Sequence, residues 1–172
     1  MKETDLKIGS RLLIGAIAGF AGTLAMTAAM RRMHEKLPAR QRYQLTPREI
    51  VDSSAAKLDV PLEGEAAKDV TTAAHFAYGA ASGALLGAAS VTMGPVSGAT
   101  GGLAIWLGSY MGWIPAARIL KPATQHPRRR NLLMLAAHVV WGAATAAAMR
   151  ELAAARQTIL DEGPDKDAAP PA

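Results

Sequence analysis

Two histidines lie inside long uncharged stretches of this 172-residue chain, and their imidazoles are the side chains best suited to bind something there. One begins the run His75-Phe76-Ala77-Tyr78-Gly79-Ala80-Ala81-Ser82, and the other begins His138-Val139-Val140-Trp141-Gly142-Ala143-Ala144-Thr145. Ionisable residues are unfavourable inside membrane helices, where they usually pair with a neighbour or mark a site. The shared order of imidazole, aromatic ring, glycine and hydroxyl predicts a parallel repeat of two-helix units.

Three interpretations of His75 and His138 are open. As neutral imidazoles they could hydrogen-bond across helices and only stabilise the packing, which is the interpretation that we favour from the sequence. They could instead be axial ligands of a b-type haem, or a proton- or substrate-handling site in a small transporter or channel. No Asp or Glu lies in the same uncharged stretches, which argues against a carboxylate proton relay. We therefore expect no cofactor, with haem b as the alternative.

Aromatic and basic residues offer two further candidate binding sites. Tyr78, Trp113 and Trp141 fall at a similar depth to the histidines and could line a pocket, although such rings more often form an interfacial belt. A basic cluster precedes the last uncharged stretch and consists of His126, Arg128, Arg129 and Arg130. At headgroup level these side chains could bind anionic lipids by charge-assisted hydrogen bonds, or act only as determinants of topology.

The sequence contains few of the residue patterns that are typical of enzyme active sites. The chain contains no cysteine, which excludes disulfides, thiolate metal sites and cysteine nucleophiles. The serines of the uncharged stretches have no evident base or acid partner in the sequence, and it contains no phosphate-binding loop or metal-spaced histidine pair. We therefore predict that the protein is not an enzyme.

Four uncharged stretches must position these residues. Residues 70–117 run for 48 positions without Lys, Arg, Asp or Glu and are divided by Gly94-Pro95, while residues 12–30 and 131–149 are uncharged over 19 positions each. About 20 mainly apolar residues cross a bilayer. The pattern predicts an all-α polytopic membrane protein with four transmembrane helices in a bundle, and a buried helical pair in a soluble protein is the alternative. We place these helices at about residues 10–30, 70–93, 96–117 and 131–152.

The remaining segments complete a single domain over residues 1–160. Thr46-Pro47-Arg48-Glu49 has the pattern of a capping box and predicts a short helix over residues 47–58, lying along the membrane interface or covering the end of the bundle. A cleaved signal peptide over residues 1–30 is disfavoured because Arg31-Arg32 follows the apolar run directly. The tail, residues 161–172, is rich in Pro, Ala and Asp and is predicted to be disordered.

Glycines at helical spacing predict where the helices pack, because small side chains let backbones approach closely in lipid. We expect these contacts to lie within one chain, and a glycine-lined pore or an oligomer seam is the alternative. The predicted packing residues are Gly15, Gly19, Gly79, Gly83, Gly87, Gly108, Gly112 and Gly142.

The distribution of positive charge predicts the orientation. Thirteen of the 19 Lys and Arg fall in residues 31–69 and 118–130, the two long connections that four crossings would place on one side. The positive-inside rule then puts both connections in the cytoplasm. The expected partner is the lipid bilayer, with anionic headgroups as a specific candidate and no nucleic acid. A homo-oligomer or a membrane-protein partner stays open.

Several motifs carry a resemblance to a known family. They are Thr46-Pro47-Arg48-Glu49-Ile50, His75-Phe76-Ala77-Tyr78-Gly79, Gly112-Trp113-Ile114-Pro115, His126-Pro127-Arg128-Arg129-Arg130-Asn131 and His138-Val139-Val140-Trp141-Gly142. From about residue 10 to 150 the chain resembles the YagU-like family of small bacterial inner-membrane proteins. The resemblance implies a multi-pass protein of the inner membrane and supplies no established activity or catalytic residue.

Two functions are consistent with these observations. The first is a non-enzymatic bundle that acts as an accessory, a scaffold or a component of envelope homeostasis. The alternative is a small transporter, channel or haem- or ligand-binding membrane protein that uses His75 and His138.

Overall fold

The computed structural model describes residues 6–161, and within this range the chain is helical and contains no β-strand, so the all-α prediction is confirmed. The helices are α1 (Ile8–Glu35), α2 (Thr46–Lys57), α3 (Gly64–Ala89), α4 (Pro95–Leu107), α5 (Ile114–Ala116) and α6 (Arg128–Thr158). A π-helical segment, Gly108–Trp113, joins α4 to α5. Apart from Asp161, the tail predicted to be disordered lies outside the described residues.

The long helices form a bundle in the spatial order α3, α1, α6, α4. α1 packs against both α3 and α6, and α6 also packs against α4. Gly15 of α1 lies beside Gly83, and Gly19 lies beside Gly79, so α1 and α3 are antiparallel. The helix α2 covers the end of the bundle at which α1 ends and α6 begins. Both long connections therefore lie at this covered end.

Glycines bring two pairs of helices into backbone contact. Between α1 and α3, a Cβ on Gly19 would lie 2.7 Å from the Cα of Gly83, which no side chain could tolerate. Between α4 and α6, a Cβ on Gly142 would lie 2.8 Å from the carbonyl carbon of Gly98. Each pair thus depends on glycine at its crossing point, as expected where close packing drives helix association.

The prediction that Gly108 and Gly112 pack against another helix is wrong. A Cβ on either residue would meet no atom within 4 Å, because both belong to the π-helical segment, which departs from the register of α4. Gly98 and Gly102 make the contacts with α6 instead.

Pro115 explains why α4 ends early. Proline has no N–H, so the carbonyl of Met111 lacks the donor that it would have in a regular α-helix. Upstream of Pro115 the chain is π-helical, and Gly112 takes the non-helical angles φ −106° and ψ −108°. The sequence prediction of one regular helix over residues 96–117 missed this distortion. Wider π-turns of this kind occur often at functional sites.

The predicted capping box at the start of α2 is not formed. Leu45 is the N-cap residue and no side chain caps the helix. The side chain of Thr46 is buried and bonds the Tyr110 hydroxyl, while the Glu49 carboxylate pairs with Arg130. The side chains of Thr46 and Glu49 therefore contact residues that are distant in the sequence.

Two of the helices, α1 and α6, are long and apolar enough to cross a membrane.

At the end opposite α2, Arg11 donates to the carbonyls of Gly87, Ala88 and Ala89, the last of these at 2.6 Å. These are orphan carbonyls at the C-terminus of α3, where a positive charge is also favoured by the helix dipole.

We expect Gly83→Ala to lower the free energy of unfolding by about 1–3 kcal/mol, as overpacking does in a tight core. The added methyl would lie 2.6 Å from the Cα of Gly19, and backbone cannot move aside as a flexible side chain can. The measurement is the thermal unfolding midpoint in mild detergent. Gly108→Ala is the matched control and should leave the midpoint unchanged or raised. Equal losses in both variants would contradict the glycine contact.

Candidate functional site

A cavity of about 230 Å³ lies inside the bundle, at the level of the π-helical segment and directly beneath α2. Helices α1, α2, α3, α4 and α6 and the π-helical segment all contribute to its walls. The lining includes every aromatic and imidazole residue that the sequence suggested for a pocket: His75, Tyr78, Trp113, Trp141 and His138. The tertiary structure thus brings together five residues that are spread over 67 positions of the chain.

The two histidines present their nitrogens differently. The Nδ1 of His138 lies 2.8 Å from the carbonyl oxygen of Met134, and since a carbonyl only accepts, Nδ1 carries the proton. The Nε2 of His138 is therefore an acceptor in the neutral ring. The Nε2 of His75 is buried and has no hydrogen-bond partner among the described residues. The interhelical hydrogen bonds expected of packing histidines are thus not formed in this part of the chain.

Tyr78 and Trp113 close one side of the cavity, between α3 and the π-helical segment. Ser109 donates to the carbonyl of Ile105 at 2.6 Å, so the Tyr78 hydroxyl donates to Ser109 Oγ at 2.5 Å. The indole N–H of Trp113 in turn donates to the Tyr78 oxygen at 3.4 Å. Tyr78 is 40 % exposed and Trp113 is 45 % exposed, so both side chains reach the outer surface.

Trp141, in contrast to Tyr78 and Trp113, is buried in the interior of the bundle. It is 3 % exposed, and its indole N–H lies 3.2 Å from both the carbonyl of Gly19 and the hydroxyl of Thr23. These bonds join α6 to α1 beside the glycine contact. Trp141 and Tyr78 occupy equivalent positions in the repeated sequence motif, yet one is buried between helices and the other faces outward.

Arg130 organises the covered end of the bundle. Its guanidinium forms an ion pair with Glu49 of α2, donates to the Tyr110 hydroxyl at 2.8 Å and lies 5.5 Å from the centre of the Tyr43 ring. Arg130 is buried, so its predicted role in binding lipid headgroups is wrong. Burial also raises the pKa of Tyr43, against the effect of the nearby Arg130 charge, so the phenol stays protonated at neutral pH.

The rest of the basic cluster lies outside the cavity. Arg128 and Arg129 are exposed, and the imidazole of His126 lies 3.0 Å from the carbonyl of Lys121. The binding of lipid by these three residues stays a prediction.

The helix α2 is fixed at both of its ends. At its start, the Thr46 hydroxyl lies 2.8 Å from the Tyr110 hydroxyl and 3.6 Å from the Met134 sulfur. At its other end, Lys57 donates to the carbonyl of Ala117 at 2.6 Å. Thr46 and other residues of α2 line the cavity. The helix therefore closes the cavity toward the connections, and the sequence did not indicate this role for Thr46.

The cavity does not fit a haem. Its volume of about 230 Å³ lies below the roughly 300–1,000 Å³ of pockets for drug-sized ligands, and a porphyrin is larger than most such ligands. Within residues 6–161 no group of three or more His, Asp or Glu is arranged to hold a metal ion. A smaller organic molecule is what the lining suits.

The chain matches no protein-family model, no curated protein and no solved structure. The cavity and the surface of the bundle are therefore the features that bear on its function.

We expect Glu49→Gln to loosen α2 from the bundle. The substitution leaves the buried Arg130 without its counter-charge, and a hydrogen bond to a charged group is worth about 1.5–3 kcal/mol. Trypsin cleavage at Arg40, Arg42 and Lys57, measured in mild detergent, should become about tenfold faster or more. Glu65→Gln is the matched control, because the pair of Glu65 with Lys68 is exposed and worth little. Equal cleavage rates in the two variants would contradict the anchoring role of Arg130.

Proposed function

We propose that this chain is an integral protein of the bacterial inner membrane whose four membrane-spanning segments enclose a binding site for a small molecule. The spans are α1, α3, the segment Pro95–Ala116 with its distortion at Gly112, and α6. The observation that carries the binding function is the convergence of His75 and His138, from equivalent positions of two helices, on one largely apolar cavity.

The distribution of polar and apolar side chains supports the membrane location. On α1, the outward residues Leu13, Ile17 and Leu24 are each about half exposed or more. The interior, in contrast, contains buried hydroxyl groups, from Thr23, Ser82, Ser109 and Thr145. In water this arrangement would leave an extended apolar surface uncovered. In a bilayer the apolar surface meets lipid, and the polar groups are kept inside the bundle.

The positions of the charges support the orientation. All four ion pairs seen among residues 6–161 lie at the end covered by α2. Near the opposite end of α1, the guanidinium of Arg11 is occupied by the C-terminal carbonyls of α3. Its position is therefore explained by helix capping. We place both long connections in the cytoplasm, in agreement with the positive-inside rule.

His75 and His138 form no hydrogen bond to another helix within the described residues, which favours ligand binding over a purely structural bundle. Buried polar atoms in native proteins almost always have a partner, and a histidine that only joins helices would use its nitrogens for that purpose. The close contacts α1–α3 and α4–α6 continue beyond the cavity toward the other end of the bundle. A binding cavity that ends within the bundle is thus better supported than a through-channel, and the scaffold function becomes the alternative.

The topology can be tested with single cysteines, because the chain has none of its own. We expect Gln125→Cys to be protected from a membrane-impermeant maleimide in intact cells and Gly94→Cys to be labelled. Gln125 lies in the second long connection, and a Cβ on Gly94 meets nothing within 4 Å in the turn at the other end. Both positions should react after the membrane is permeabilised. Labelling of the two positions from the same side would contradict four spans.

Ligand binding can be tested by native mass spectrometry of the protein in mild detergent. We expect a stoichiometric adduct that is not a bulk lipid, and its loss in His138→Ala, because that change removes the acceptor nitrogen from the cavity. His34→Gln is the control, since His34 bonds the carbonyl of Tyr43 outside the cavity. A bare mass, or an adduct retained equally in His138→Ala, would contradict the site and favour the scaffold function.

A further inference from the structure

We infer that the ligand of this cavity is a neutral, lipid-soluble molecule that carries a hydroxyl group and enters sideways between α3 and the π-helical segment. The inference rests on the proposed function and names the class of molecule that the same site would take. Three features of the structure carry it: the acceptor nitrogen of His138, the lack of charged side chains among the described residues of the lining, and the construction of the cavity's side wall.

The imidazole of His138 suits a hydroxyl group. Its Nδ1 proton is held by the carbonyl of Met134, so Nε2 is an acceptor, and His138 lines the cavity. A hydroxyl donates one hydrogen bond. One such group can therefore donate to His138, which an ether cannot do.

The lining favours a neutral ligand. Among the described residues that line the cavity there is no Asp, Glu, Lys or Arg. Arg130, which contacts the lining residues Thr46 and Tyr110, is neutralised by Glu49. A charged ligand would be left unpaired in an apolar chamber, which is strongly unfavourable. The remaining walls, which include Met26, Ile105 and Ile114, suit an apolar body.

The side wall is the weaker boundary of the cavity. Toward the connections, α2 is held by the Arg130 ion pair, the Thr46 hydroxyl and Lys57. Between α3 and the π-helical segment, by contrast, the closure consists of the side chains of Tyr78 and Trp113, hydrogen-bonded to each other and to Ser109. Side chains change rotamer far more easily than a helix detaches. Both rings reach the outer surface of the bundle, which we propose to lie in the bilayer. An apolar ligand accumulates in lipid.

The test uses Trp141 as a fluorescent reporter inside the cavity. The background Trp106→Phe keeps Trp113, which closes the side wall, and Trp141, which is 3 % exposed, as the two tryptophans of the chain. Only quenching that saturates is attributed to the buried Trp141. The protein is placed in nanodiscs of phosphatidylcholine and phosphatidylglycerol. The probes are 6-bromo-1-hexanol and its methyl ether, 1-bromo-6-methoxyhexane. Both carry a bromine that quenches a nearby indole, and the ether cannot donate a hydrogen bond.

We expect saturable quenching by the alcohol. After correction for partition into lipid, its half-saturation concentration should be about tenfold lower than that of the ether. A hydrogen bond of about 1.4 kcal/mol corresponds to this factor of ten. His138→Phe should raise the half-saturation for the alcohol to that for the ether and leave the ether unaffected. The comparison of alcohol with ether in the reporter background stands even where His138→Phe fails to fold.

The outcomes separate this inference from the proposed function. Equal half-saturations for the two probes would overturn recognition of the hydroxyl and leave a ligand-binding cavity in place. No saturable quenching by either probe would overturn both.

The route is tested by stopped-flow mixing. Tyr78→Phe removes the hydroxyl that joins α3 to Ser109 and keeps the ring, and it should speed both association and dissociation of the alcohol. Glu49→Gln, which loosens α2, should leave both rates unchanged. Faster exchange in Glu49→Gln with unchanged exchange in Tyr78→Phe would overturn lateral entry and indicate a route beneath α2.

Discussion

The structure depends on backbone contact at glycines. α1 meets α3, and α4 meets α6, at distances that leave no room for a Cβ. In both pairs the second helix contributes a glycine four residues after its histidine, Gly79 in α3 and Gly142 in α6. Each histidine consequently lies about one turn from the crossing point of its pair. When α1 and α6 join the two pairs, both histidines come to line one cavity.

A single buried arginine then determines how the bundle is closed. Arg130 begins α6, yet its guanidinium turns toward the protein and contacts Glu49, Tyr110 and Tyr43, which come from α2, the π-helical segment and the first connection. Taking a charge out of water is unfavourable unless its partners are well placed, so this cluster constrains α2 to one position. The cavity is closed toward the connections because α2 occupies that position.

Arg130 fixes the boundary of the cavity toward the connections, whereas Pro115 alters the boundary at its side. By removing a donor from the last turn of the α4 segment, it favours the π-helical geometry that carries Ser109, Tyr110 and Trp113 toward the cavity. On this side the boundary consists of two hydrogen-bonded aromatic side chains. The bundle therefore combines backbone contacts at the glycines and the ion pair at Arg130 with one wall that is formed by side chains.

The sequence by itself determined the helical class, the approximate positions of the helices, most of the glycine contacts and the histidine and aromatic residues of the cavity. These features follow from local quantities: the length of uncharged stretches, the spacing of small residues and the repeated order of residue types. Only the tertiary structure decided that Gly98 and Gly102 replace Gly108 and Gly112 at the α4–α6 contact, because that choice depends on the distortion at Pro115. Only the tertiary structure likewise decided that Thr46 and Glu49 serve distant partners in place of a capping box. A carboxylate bonds more strongly to a buried guanidinium than to the start of its own helix, and the sequence does not show that a guanidinium 81 positions away will lie beside it.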